Sequence, residues 1–192
     1  FPERSVVVMY GSQWQLSQSV MALNCVAELR RAKDTAEFFV GLGGVEQQQW
    51  SADLVARLQA PGDGDEVPRV CLLDSGVNRG HPLLDPLIAP SDLHTVNAAW
   101  GTNDTANHGT GLAGLAGYGD LHAALASNGP IAISHRIESV KLTPNQGANV
   151  GDDKHHARLF LDGVTLPETY FGQRKRVFSS AVTASDYRDF GR

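Results

Sequence analysis

The 192 residues amount to one domain, or one domain with a short extension. With 42% hydrophobic and 19% charged residues the composition is globular, which excludes a disordered chain, and no stretch reaches the roughly 18 uncharged apolar residues of a membrane-spanning helix. Sixteen basic against 21 acidic residues (formal charge −5) leave no electrostatic footprint for nucleic acid or anionic lipid, so neither is expected as a partner.

Ser5 to Tyr10 is a β-branched apolar run and predicts a strand. Val20 to Lys33 has apolar residues at helical spacing and ends in Arg30, Arg31 and Lys33, which suit a helix C-terminus. Val45 to Leu58 repeats that pattern. The Pro/Gly/Asp-rich residues 61–68 read as a linker, dividing an N-terminal extension (1–60) from the main domain (69–192). Arg69 to Leu73 is a short, nearly unbroken apolar run, the texture of a strand buried on both faces, and Asp74-Ser75-Gly76 ends it. Asp85 to Thr105 reads as loop with short turns. His108 to Leu125 predicts a helix rich in small residues, Ile131 to Leu142 a strand, Asp152 to Gly163 a helix and Arg176 to Ala184 a strand. The alternation predicts an α/β fold with a mostly parallel sheet. Cys25 and Cys71 cannot build a disulfide framework, and Cys71 reads as a buried free thiol.

Asp74 directly follows a buried strand, and in open α/β sheets ligands bind beyond the carboxyl ends of strands. Alone, Asp-Ser-Gly is ordinary turn chemistry. His108 stands where a helix starts, and Gly109, Gly111 and Gly114 follow it. Glycines are poor helix formers, so close approach to a strand or to a substrate is expected there.

Together the two segments resemble the subtilisin-like serine proteases, the subtilases. Val70 to Leu84 resembles their aspartate box: an apolar strand, Asp-Ser-Gly, and His81-Pro82 a few residues on. His108-Gly-Thr-Gly-Leu-Ala-Gly114 resembles their histidine box. The order Asp then His is that of subtilisin, and the 34-residue separation is close to subtilisin's. A looser likeness runs on to about Ala184, through Glu138 to Leu142 and Arg176 to Ala184. Gly111 stands where secreted subtilisins commonly carry a second histidine, which marks a divergent, bacterial branch.

The resemblance implies a three-layer core with a mostly parallel sheet, behind a small helical or α+β extension. It also implies serine endopeptidase activity on polypeptide substrates. Asp74 and His108 would be catalytic, and Ser180 and Ala181 would line the substrate cleft. The helical extension is preferred to a prodomain for residues 1–60. The oxyanion asparagine and the nucleophilic serine are expected roughly 90 and roughly 155 residues past the histidine, both beyond Arg192. On this reading the chain is the N-terminal part of a protease, inactive alone and lacking the C-terminal half of its catalytic domain. The chain shows no basic-then-apolar signal peptide, so the compartment is left open, with a lean to the cytoplasm.

No cofactor is implied. Many subtilases bind structural calcium, but no oxygen-ligand loop stands out. The Asp152, Asp153, His155 and His156 cluster lacks the spacing to serve one metal ion. Arg174-Lys175-Arg176 reads as the solvated start of a strand, and Trp14, Trp50 and Trp100 as packing residues. Two rival functions stand beside the main one. One is a subtilase-derived binding module or pseudoenzyme, with Asp74 and His108 as vestiges. The other is an aspartic protease half-site at Asp74-Ser75-Gly76, which leaves the His108 segment unexplained.

Overall fold

A computed structural model of the chain describes residues 9–18, 36–146 and 154–181. The chain forms two compact units, Phe1–Val40 and Gly41–Arg192. In the first, a short helix α1 (Gln13–Ser17) carries Trp14, which is exposed and not the packing residue expected. Helix α2 (Glu37–Gly41) runs up to the start of the second unit. The strand expected at Ser5–Tyr10 lies mostly outside the described residues, and the helix expected at Val20–Lys33 lies wholly outside them.

The second unit opens with helix α3 (Gly44–Arg57), at the place its apolar spacing predicts, with Leu54 buried. Strand β1 (Leu58–Gln59) pairs in parallel with β4 (Ile131–Ala132) in a small sheet of its own. Residues 61–68 form no helix or strand; the Asp65 carboxylate accepts the Gly62 N–H at 2.8 Å and closes a turn. The main sheet has four strands: β2 (Arg69–Asp74), β3 (Leu93–Thr95), β5 (Arg136–Lys141) and β6 (Arg176–Ser179). Their order is β3-β5-β2-β6, and every pairing is parallel.

Helices cover both faces of this sheet. Helix α4 (His108–Tyr118) packs on one, where Leu72, Val77, Leu87, Ile88, Ala113 and Ile137 form the larger core cluster. Helix α6 (Lys154–Phe171) packs on the other, bringing Phe160, Val164 and Leu166 against Cys71, Leu73, Val140 and Leu142. Being covered twice, β2 and β5 are buried almost throughout, whereas the edge strand β6 alternates. Cys71 is a buried free thiol, as its apolar surroundings predict, and burial pushes its pKa up strongly.

Five elements differ from expectation, the first being the strand expected over Arg176–Ala184: β6 ends at Ser179, residues 180 and 181 lie past it, and 182–184 lie outside the described residues. Leu93–Thr95, expected to be loop, is an edge strand because its backbone finds β5. The helix expected over His108–Leu125 is two: α4 ends at Tyr118, and Asp120 caps α5 (Leu121–Ala126) by accepting the Ala123 N–H. The strand expected over Ile131–Leu142 is broken into β4 and β5 at residues 133–135. Helix α6 runs past Gly163 to Phe171 with Pro167 inside it, because its apolar side stays on the sheet beyond the glycine.

Arg174 and Arg176 are not solvated: the Arg176 side chain is 1% exposed and Arg174 is mostly covered. Glu138, on the central strand β5 and wholly buried, accepts from both guanidinium groups, and Asp92 takes a second bond from Arg174. Lys175 alone of the three is exposed.

Candidate active site

Strand β2 carries Asp74 to the carboxyl end of the sheet, where its side chain is 2% exposed. The strand's hydrogen bonding continues there: the Asp74 carbonyl accepts the Leu142 N–H at 2.7 Å, so the backbone below the carboxylate is fixed. The chain then turns through Ser75 and Gly76. Gly76 has a positive φ of 95°, and a Cβ on it would lie 2.4 Å from the Thr102 carbonyl oxygen. The turn is therefore pressed against the loop that leads into α4.

His108 is the first residue of α4, and its Nδ1 lies 2.8 Å from Asp74 Oδ1. A carboxylate only accepts, so Nδ1 carries the proton in this bond. The imidazole is 54% exposed, and it links a buried carboxylate to the surface. The hydrogen bond to Asp74, then the charge of Asp74, raise the His108 pKa above its ordinary value; slight desolvation opposes this, and the charge of Asp104 adds to it.

Asp74 is held by more than His108. Its Oδ1 accepts the Ser75 N–H at 2.7 Å and lies 3.0 Å from the Ser75 hydroxyl. Its Oδ2 is buried and has no hydrogen-bond partner among the described residues. The Ser75 hydroxyl also lies 2.9 Å from Asp104 Oδ1 and accepts the Gly109 N–H at 3.0 Å. Asp104 resists protonation: burial alone would raise its pKa, but hydrogen bonds from Thr110, Ala106 and Ser75 hold it below the usual carboxylate range. Lys141, opposite Asp74 on β5, is wholly buried with its ammonium on the Asn103 carbonyl. Desolvation lowers its pKa, and the Asp104 charge opposes that.

The glycines after His108 divide. Gly109 is in close approach: a Cβ there would lie 2.2 Å from the Gly76 carbonyl oxygen and 3.3 Å from Asp74 Oδ1. Gly111 and Gly114 face open space. Gly109→Ala is therefore expected to push α4 off the Asp-Ser-Gly turn. It should cost about 1–3 kcal/mol in thermal or urea unfolding and return the His108 titration toward its ordinary midpoint by NMR. An unchanged titration would mean the helix start tolerates a methyl group.

Ser180 and Ala181 lie just past β6, exposed, at the same end of the sheet as Asp74; the Ser180 hydroxyl donates to the Leu73 carbonyl at 3.2 Å. His81 is exposed, and its Nδ1 accepts the Leu83 N–H in the turn before Asp85. Among the described residues no cluster of three or more His, Cys, Asp or Glu could hold a metal ion. Asp152 and Asp153 lie outside the described residues, and so do the side chains of His155 and His156.

The residues that sequence reasoning missed are Asp104, Asn78, Thr110 and Lys141. The one local signal was a carboxylate four residues before His108; nothing in the chain marked it as buried.

The subtilase family model, peptidase S8, matches residues 65–191, about two-thirds of the chain. The chain belongs to the subtilase family. Comparison with curated proteins gave no match, and comparison with solved structures gave none. The parallel sheet between helices is the α/β core expected of a subtilase, and membership in this family of serine proteases makes polypeptides the substrate class. Its match spans both Asp74 and His108. The aspartic half-site reading is left without support, since it accounts for neither the His108 bond nor the parallel sheet.

Proposed function

We propose that this chain supplies the aspartate and histidine of a subtilisin-type serine endopeptidase, with the nucleophile contributed by sequence beyond Arg192. The observation that carries this reading is the 2.8 Å bond between a half-exposed His108 and a buried, anchored Asp74. Asp74 holds the imidazole with its proton on Nδ1, which leaves Nε2 as the basic nitrogen. Nε2 would take the proton of a serine hydroxyl as that oxygen attacks the scissile carbonyl, then return it to the leaving amine. Asp74 stabilises the imidazolium between those two steps. Ser180 and Ala181, exposed beside the end of β2, are proposed to border the substrate cleft.

No serine hydroxyl among the described residues bonds to His108. Ser75 is committed to Asp104, Asp74 and Gly109, and Ser139 is buried within β5. By the family's spacing the serine falls roughly 155 residues past His108, and the oxyanion asparagine roughly 90. The test is fluorophosphonate labelling of this chain beside one extended by about 200 residues. Labelling of the longer chain alone, abolished by His108→Ala, is the expected result. Labelling of neither would overturn the catalytic reading in favour of a binding module that keeps Asp74 and His108 as remnants. Labelling of the short chain would place the nucleophile within these 192 residues.

A further inference from the structure

Asp104 sits in the loop before α4 and is 5% exposed. Asn78 clamps its backbone from both sides: the Asp104 N–H donates to Asn78 Oδ1 at 3.1 Å, and Asn78 Nδ2 donates to the Asp104 carbonyl at 2.9 Å. The carboxylate faces the start of the helix. Its Oδ2 accepts the Thr110 N–H at 2.8 Å and its Oδ1 accepts the Ala106 N–H at 2.9 Å. Asn107, at the N-cap position, has a left-handed backbone (φ 61°) and makes no side-chain cap. The first-turn amides of Gly109 and Thr110 are instead capped from outside the helix, by Ser75 and Asp104.

Ser75 joins this arrangement to the Asp74–His108 pair. Its oxygen is within reach of Asp104 Oδ1 (2.9 Å) and of Asp74 Oδ1 (3.0 Å), yet a hydroxyl has one proton to donate. The two carboxylates compete for it. We propose that Asp104 is a positioning residue: it seats the first turn of α4 and draws the Ser75 proton away from Asp74, which keeps Asp74 Oδ1 a strong acceptor for His108. The inference rests on the catalytic reading of that pair, but its test needs no nucleophile.

In Asp104→Asn an amide oxygen replaces the carboxylate. It is the weaker acceptor, so the Ser75 proton turns to Asp74 and weakens Asp74's hold on His108. The charges facing His108 are Asp74 from β2 and Asp104 from the loop. Lys141, from β5, interacts electrostatically with Asp104. Loss of the Asp104 charge therefore also acts through space, and Ser75 is the means of separating the two effects.

The experiment is an NMR titration of His108 in this chain, its resonance assigned by the signal lost in His108→Gln. Asp104→Asn is expected to lower the midpoint by about half to one pH unit, and by less than half as much in a Ser75→Ala background. A midpoint unchanged in a folded Asp104→Asn would overturn the proposal. So would an equal fall in both backgrounds, because Asp104 would then act by charge alone. Should Asp104→Asn not fold, Asp104→Glu decides: it keeps the charge but moves the carboxylate off Ser75 and the Thr110 N–H, and it is expected to lower the midpoint, whereas an unchanged value overturns the linkage. Fluorophosphonate labelling of the extended chain fails or succeeds separately. No labelling with the titration shift intact would remove the protease reading and leave the positioning role standing.

Discussion

Replacing His108 by alanine, in a chain that also carries the serine, is expected to lower kcat by about 10⁶-fold, the size known for the same loss in subtilisin. The reason lies in the one 2.8 Å bond and the half-exposed ring. Without the imidazole no described group at this site is placed to take the serine proton. Asp74→Asn should cost about 10⁴-fold, since an amide holds the wrong tautomer and cannot stabilise the imidazolium. The pH profile tests the same geometry. Asp74 raises the His108 pKa, first by its hydrogen bond and then by its charge. A general base must be neutral, so kcat/KM should climb with pH through a midpoint above the ordinary value of about 6.5. Asp74→Asn removes what favours the imidazolium; the proton leaves at lower pH, and the acid limb moves down. A limb that stays in place in Asp74→Asn would mean that another group sets it.

The second large effect is on stability. Glu138→Ala is expected to destabilise the fold by about 3–5 kcal/mol, a large share of the roughly 5–15 kcal/mol that domains possess. Glu138 is wholly buried on β5 and accepts from Arg174 at 2.7 Å and from Arg176 at 2.5 and 3.1 Å. Its loss leaves Arg176, itself 1% exposed, with the half-exposed Glu168 as its one carboxylate partner among the described residues. Arg174 keeps Asp92 and its place 3.7 Å over the Phe171 ring, so it suffers less. Urea unfolding should show the midpoint falling at constant slope. Glu138→Gln, which keeps acceptor capacity without charge, should fall between. A change under about 1 kcal/mol would mean that water reaches these groups once the carboxylate is gone.

The two effects bear on one another through β5. Glu138 and Lys141 lie on the same strand, three residues apart, in register with Cys71 and Asp74 on β2. One end of the pair of strands is fixed by the arginine network and the other by the Asn103 carbonyl and the Asp-Ser-Gly turn. The carboxylate that orients His108 therefore stands at the end of a strand paired on both sides, beside the strand that carries Glu138 and Lys141. That suits a group whose role depends on not moving.

Sequence alone determined the elements whose physics is local. The nearly unbroken apolar run at Arg69–Leu73 could only satisfy itself by burial on both faces, and β2 is there. The turn after it followed from Asp-Ser-Gly, and the start of α4 from His108 and its small neighbours. The pairing of Asp74 with His108 was legible because two short segments stood in family order. Tertiary structure decided the rest. Leu93–Thr95 is too short to announce itself as a strand and becomes one only because β5 offers its edge. Arg174 and Arg176 look solvated by composition; they are buried because Glu138 and Asp92, 36 and 82 residues away from Arg174, arrive to pair with them. Asp104 likewise reads as one more polar loop residue until Asn78, Ser75 and Thr110 close around it. The burial of a charge is set by its partners, and partners distant in the chain leave no local pattern for a sequence to show.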